Sequence, residues 1–143
     1  TMNQAGFDVV PLEMDLSSKE SICSMIAEGQ KYGPIKVLVN AAGVSPSQAS
    51  IKTILQVDLY GTAVLLEEVG KVICEGGVGV TISSQSGFRM PALTTEEDEL
   101  LACTPVDELL ELDILQEEHI KDTLHAYQIA CHCSWHYCNT FGS

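Results

Sequence analysis

Basic residues are scarce in this chain: seven Lys and Arg stand against twenty Asp and Glu in 143 residues, a formal net charge of −13. That balance argues against nucleic acid or anionic membrane as a partner, because a phosphate-binding surface needs clustered cations. Long apolar runs are missing as well. Glu67, Glu68, Lys71 and Glu75 interrupt the richest one, so no segment reaches the roughly 20 residues that cross a bilayer. No secretory leader opens the sequence, and no internal repeat is visible. Aromatic residues make up 6%. Cysteines are present without forming a framework: Cys131, Cys133 and Cys138 crowd into the last thirteen residues, while Cys23, Cys74 and Cys103 are scattered through helical patterns. A reducing, cytoplasmic setting is therefore expected.

What the chain does have is organised around Val37 to Ser45, Val-Leu-Val-Asn-Ala-Ala-Gly-Val-Ser. An apolar run without polar alternation predicts a strand buried on both faces, as in a parallel sheet covered by helices. Asn40 ends it, and Ala41, Ala42 and Gly43 follow, too small to keep a flat ligand from the backbone. In open parallel sheets ligands sit beyond the carboxyl ends of the strands, where these residues fall.

Taken in order, Val9 to Met14 reads as a first strand with Asp15-Leu16 at its end. Ser17 and Glu20 have the spacing of a capping box, opening a helix that runs to about Lys31 and stops at Gly33-Pro34. Ile35 to Asn40 is the next strand. A helical pattern covers about Ser50 to Cys74, with Gly61 as a kink or a point of close approach. Gly76-Gly77 breaks it, and Val78 to Ser83 reads as the third strand. Strand, helix, strand, helix, strand implies right-handed crossovers and a parallel sheet.

From Thr94 to His125 eleven of the twenty acids gather with one Lys, and strand signals vanish. Short helices are expected over Glu96 to Cys103, after a Thr104 cap with Pro105 in first position, and over Glu117 to Ala130. The segment reads as an acidic helical insertion or lid over 94–125, or as a solvated decoration without ligand contact. Residues 131–143 show neither helical periodicity nor alternation and read as an unrelated Cys- and His-rich tail. Three polar groups, Asp15, Asn40 and Ser84, fall at the carboxyl ends of the three strands, which favours a nucleotide or cofactor crevice.

These residues resemble the short-chain dehydrogenase/reductase family over roughly Val9 to Ala130. Asp15-Leu16 is similar to its adenine contact, Asn40-Ala41-Ala42-Gly43 to its Asn-x-Ala-Gly signature, Ile82-Ser83-Ser84 with Gly87 to its fifth-strand motif, and Tyr127 to its catalytic tyrosine. The resemblance implies an α/β fold for residues 1–130: a partial Rossmann-like, doubly wound parallel sheet lacking the first two strands and the last ones. It also implies hydride transfer between NAD or NADP and a small-molecule alcohol or carbonyl. Tyr127 would then exchange the proton, Ser84 would hold the substrate oxygen, and Asp15, Leu16, Asn40, Ala41, Ala42, Gly43 and Tyr127 would contact the cofactor.

The chain departs from that pattern at telling places. Cys131 stands where the family has the lysine that lowers the tyrosine's pKa from one helical turn away. Asp58 stands in Val57-Asp58-Leu59 where an asparagine is expected, adding a charge that opposes a phenolate. The glycine-rich pyrophosphate turn has no counterpart. The resemblance thus implies an interior piece of a dehydrogenase, impaired in turnover. The alternative is a catalytically dead interaction module, a homo-oligomer joined through Ser50 to Cys74 and Glu117 to Ala130. Metal binding by Cys131, His132, Cys133, His136 and Cys138 is a third reading; no metal site is assigned, since Cys-x-Cys is tighter than the usual ligand pair and no second pair lies upstream.

Overall fold

The computed structural model describes the backbone of residues 2–140 and the side chains of residues 2–138. The regular elements are α1 (Lys19–Gln30), β1 (Ile35–Asn40), α2 (Ile51–Ile54), a π-helical segment (Leu55–Gly61), α3 (Thr62–Gly70), β2 (Ile73–Thr81), α4 (Thr95–Cys103) and α5 (Thr123–Thr140). Short 3-10 turns lie at Gln85–Phe88, Val106–Glu111 and Asp113–Leu115. The two strands pair in parallel, giving a mixed α/β arrangement consistent with a partial Rossmann-like fold.

The strand expected over Val9 to Met14 does not form. A strand is stable only where a neighbour satisfies its backbone, and the sheet among the described residues holds β1 and β2 alone. Asn3 instead serves Val9 through its side chain, accepting from the Val9 N–H and donating to the Val9 carbonyl, each at 3.0 Å. The Ser17–Glu20 box is also replaced. Asp15 Oδ1 accepts from both the amide and the hydroxyl of Ser17, at 2.9 and 2.7 Å, so the helix is capped one residue later, by Ser18 accepting from the Ser21 N–H.

β1 and β2 are in register from Val37 opposite Val78 to Asn40 opposite Thr81. β2 begins at Ile73, earlier than its sequence implies, and the helix before it ends at Gly70 rather than Cys74. Gly76-Gly77 does not end the helix, which has already stopped at Gly70, but lies inside the strand. It falls in the irregularity between the Ile35 and Val37 pairings, and Gly76 takes φ of 75°, a left-handed setting that glycine adopts freely. Burial on both faces is not met either. Val37, Val39, Val78, Val80 and Ile82 alternate onto a face that is 48% to 65% exposed, because no described helix covers it, while Asn40 is buried on the other face.

The core lies under that second face. Residues 51–70 run through it, with Ile54, Leu59, Ala63 and Val64 almost wholly buried, and Leu16, Ile22, Ile26, Ile129 and Cys133 pack around them. Gly61 is a point of close approach: a Cβ there would lie 2.2 Å from the Leu16 carbonyl oxygen.

The acidic segment is more than decoration. Leu101, Leu109, Leu115 and Ile120 join the same core. Thr94 and Glu97 form a reciprocal capping box that starts α4. Thr104 ends that helix instead of capping the next, and Pro105 precedes the Val106–Glu111 turn without a side-chain cap bond. α5 starts at Thr123 rather than Glu117 and does not stop at Ala130. Ala126, Ile129, Ala130 and Cys133 are buried at helical spacing, so the stretch read as an irregular tail continues the helix; its last three residues lie outside the described ones. Among the described residues no helix is long and apolar enough to cross a membrane.

Core membership of the acidic segment has a direct check. Leu109→Ala should cost about 2–5 kcal/mol in urea unfolding, whereas Leu100→Ala, at a half-exposed position, should stay within about 0.5 kcal/mol. Equal, small losses would mean that the segment only decorates the surface.

Candidate active site

A cleft of about 340 Å³ opens where β1 and β2 end and α5 crosses them; Ala41, Ala42, Gly43, Asp58, Tyr127 and Cys131 are among the residues that line it. The buried Asn40 stiffens one rim: its Nδ2 donates to Thr62 Oγ1 at 3.4 Å, and its Oδ1 accepts from the Ala42 N–H at 3.3 Å. Its carbonyl accepts from the Ile82 N–H at 2.8 Å, carrying the strand pairing to the mouth of the cleft.

The opposite wall is α5, seated on the turn that leaves β2. Ser83 Oγ donates to the Cys131 carbonyl at 3.1 Å. Gly87 sits against the same helix, where a Cβ would come within 2.8 Å of the His132 backbone nitrogen. Ser84 caps the Gln85–Phe88 turn by accepting from the Ser86 N–H at 3.2 Å. This seating places Ser84 close enough to the Tyr127 phenol to lower its pKa.

Burial raises the Tyr127 pKa above the usual phenol value, the nearby Cys131 and Asp58 push it further up, and Ser84 pulls the other way. Cys131 is itself buried, and desolvation raises its thiol. No cation is among the groups acting on Tyr127. The phenol therefore keeps its proton at neutral pH: it is equipped to donate one and poorly equipped to accept one.

Asp58 comes from the π-helical segment, whose wider turn carries it into the interior at 9% exposure; such turns recur at functional sites. Its Oδ1 accepts from the Val44 N–H at 2.8 Å, while Oδ2 is buried without a partner. Burial raises its pKa, and the Val44 bond only partly offsets that. Gly43 packs against Oδ1, leaving 3.0 Å for a Cβ.

Ala41, Ala42, Gly43, Asp58 and Tyr127 thus line one cleft, while Asn40 braces its rim through Ala42 and Ser84 acts on the Tyr127 phenol without lining the cleft itself. Asp15 and Leu16 are not among its lining residues. The exposed Asp15 carboxylate is engaged by Ser17, and Leu16 is buried over Gly61. Sequence reasoning missed Thr62, Val44 and Ser83. Only Thr62 carried a signal, four residues after Asp58 on one helix face. Of the tail residues, Cys131 lines the cleft, whereas His132 and His136 turn toward Asp98.

The buried carboxylate makes stability depend on pH. Because the folded-state pKa of Asp58 is raised, its protonated form favours folding; that contribution is full below the unfolded value and is lost as pH rises through the folded one. Asp58→Asn keeps an oxygen for Val44 and removes the charge. The variant should be more stable than the parent by about 1 kcal/mol near neutral pH, with the gap closing as pH falls through the carboxyl range. Urea midpoints across that range check it, and a gap that does not change with pH would absolve the carboxylate.

A family model described as Enoyl-(Acyl carrier protein) reductase matches residues 1–95. A short-chain dehydrogenase/reductase of Alternaria brassicicola is 33% identical over 130 residues, which cover 90% of this chain and 47% of that protein. The chain therefore spans about half the length of the curated relative it matches. No solved structure matches it. With well over half of its length matched by the family model and nearly all of it aligned to that relative, the chain belongs to the short-chain dehydrogenase/reductase family.

Proposed function

We propose that the protein interconverts a small-molecule alcohol and carbonyl with NAD or NADP, and that this chain, as it stands, is impaired in turnover. The carrying observation is Tyr127 in the cleft between the strand ends and α5, opposite Ala41 to Gly43, with Ser84 close enough to act on its phenol. Ser84 Oγ hydrogen-bonds the substrate oxygen, and Tyr127 Oη delivers or removes the proton there. Asn40 to Gly43 and Tyr127 hold the nicotinamide end, and the cofactor supplies the hydride. The cleft is at the small end of ligand sites, suited to a ring and a small carbonyl but not to a whole dinucleotide. The side chains at 41–43 leave room for a flat group, which supports that fit. Asp15, spent on Ser17, leaves the adenine end without a contact of its own.

Impairment follows from the charges around the phenol. A lysine one turn along α5 would stabilise the phenolate; Cys131 supplies no charge, and Asp58 opposes one. The proton-donating direction, carbonyl reduction, suffers least. Six free cysteines accord with a reducing, cytoplasmic setting. A second reading, a module that binds copies of itself or another protein without turnover, draws on the same Cys131 and on the bare valine face of the sheet.

Two measurements separate these readings. The parent chain should bind NADH and NADPH more weakly than micromolar by fluorescence titration; micromolar binding would overturn the impairment. Cys131→Lys should shift the Tyr127 absorbance titration, identified by difference from Tyr127→Phe, to lower pH. In a chain extended to the length of its relative, the same substitution should raise turnover by orders of magnitude. An unmoved phenol, or equal turnover of the two proteins, would remove Tyr127 from its role.

A further inference from the structure

A second cluster of chemistry lies on α5, independent of the reading above. His132 and His136 are four residues apart, so both imidazoles project from one face of the helix. They meet a carboxylate from the acidic segment. His132 Nε2 is 2.7 Å from Asp98 Oδ1, and His136 Nε2 is 3.1 Å from the same oxygen. The two rings meet edge to face, with centroids 5.2 Å apart and planes at 70°. One ligand atom from each of the three residues lies within 4.8 Å of the others, and among the described residues this is the one such group of possible metal ligands.

We propose that Asp98, His132 and His136 form a binding site for a divalent transition ion of the zinc class. The ligand types are right: two imidazole nitrogens and one carboxylate oxygen form a recurrent three-residue set around zinc, with water in a fourth, open position. The spacing is close to right. Tetrahedral bonds of about 2.0–2.1 Å place donor atoms roughly 3.3 Å apart, so the Asp98 contacts at 2.7 and 3.1 Å need to open by about 0.6 and 0.2 Å, and the two imidazole nitrogens, within 4.8 Å of each other, need to reach the same separation. The burial suits a reachable site. The side chains are 25%, 19% and 39% exposed for His132, His136 and Asp98, half-sheltered yet open on one side. A cavity of about 200 Å³ lined by Gly87, Met90, Leu93 and His132, among others, adjoins the cluster and gives a water ligand space. The surroundings attract cations, since Asp98 belongs to the stretch holding eleven of the twenty acids in a chain of net charge −13.

Cysteine is not part of this set. Cys131 faces the cleft and Cys133 is buried, and the three converging ligands include no thiol. The geometry also gives the ion a task. Asp98 lies on α4 and the histidines on α5, 34 and 38 residues away in sequence, so a bound ion ties the acidic segment to the helix that carries Tyr127.

The test is metal binding by the full chain, stripped with a chelator and kept reduced by a phosphine. Zinc titrated by calorimetry should bind with a stoichiometry of one. Cobalt(II) in its place should give visible d–d bands without the near-ultraviolet charge-transfer absorption of a cobalt thiolate. Asp98→Asn and His136→Ala should each weaken binding by at least about tenfold, the loss that even an indirect partner of a metal ligand can cause. Cys103→Ser and Cys138→Ser, at exposed positions, should leave it unchanged. Zinc should also raise the melting temperature of the parent and not that of His136→Ala. No binding by the parent, binding that survives in His136→Ala, or thiolate absorption from cobalt would each overturn the site. The cobalt spectrum reads the donors on the unmodified chain, so the site can be refuted even where a variant fails to fold.

Discussion

The backbone amide of Val44 donates to a carboxylate that the π-helical turn carries into the protein's interior, at 2.8 Å. That bond ties the loop after β1 to the most buried run of helix in the molecule. The run cannot move to suit the loop, because it is enclosed on nearly every side and the Leu16 carbonyl sits where a side chain at position 61 would be. The loop therefore takes its place from the helix. Asn40, held by Thr62 from one turn further along, finishes the same fixing and sets the rim on which Ala41 to Gly43 are displayed. A charge buried with one oxygen unpartnered is unfavourable, so the rim is fixed at some loss of stability.

The facing wall is governed by close contact rather than by charge. Gly87 lets the turn after β2 approach α5 to backbone distance, and Ser83 bonds the Cys131 carbonyl. Position 131 is consequently held by its own main chain while its side chain faces the cleft. Replacing a cation there with a thiol leaves the wall in place and changes its electrostatics. The shape of the cleft and its electrostatics are thus separable in this chain: the first depends on packing around Gly61 and Gly87, the second on which side chain stands at position 131, one turn beyond the phenol.

Much of this was readable from residue types, and the misreadings have physical causes. Ile35 to Asn40 was legible because an apolar run is bracketed by Gly33-Pro34 and by three small residues. The same run misled on burial: valines on alternate sides cannot reveal whether a second layer covers them. Ser17 and Ser18 offer the same capping chemistry, and Asp15 decides between them by engaging Ser17. The Thr94–Glu97 box carried the same signature unread. α5 was cut short because Cys and His mask a helical period. Counted as a small apolar residue, Cys133 continues the buried stripe of Ala126, Ile129 and Ala130. That extension is what brings His132 and His136 to Asp98, a partner that local spacing could never supply. The π turn left no trace in composition or periodicity.

The uncovered valines of β1 and β2 bear on colloidal behaviour. A ridge of branched side chains beside strand edges that no other described strand pairs is an adhesive surface, the kind that lets identical chains stack edge to edge. What holds such copies apart is mutual repulsion, and with thirteen excess negative charges this chain has it in abundance. Acidity, which sequence alone assigns to no ligand, here acts as the counterweight to stickiness.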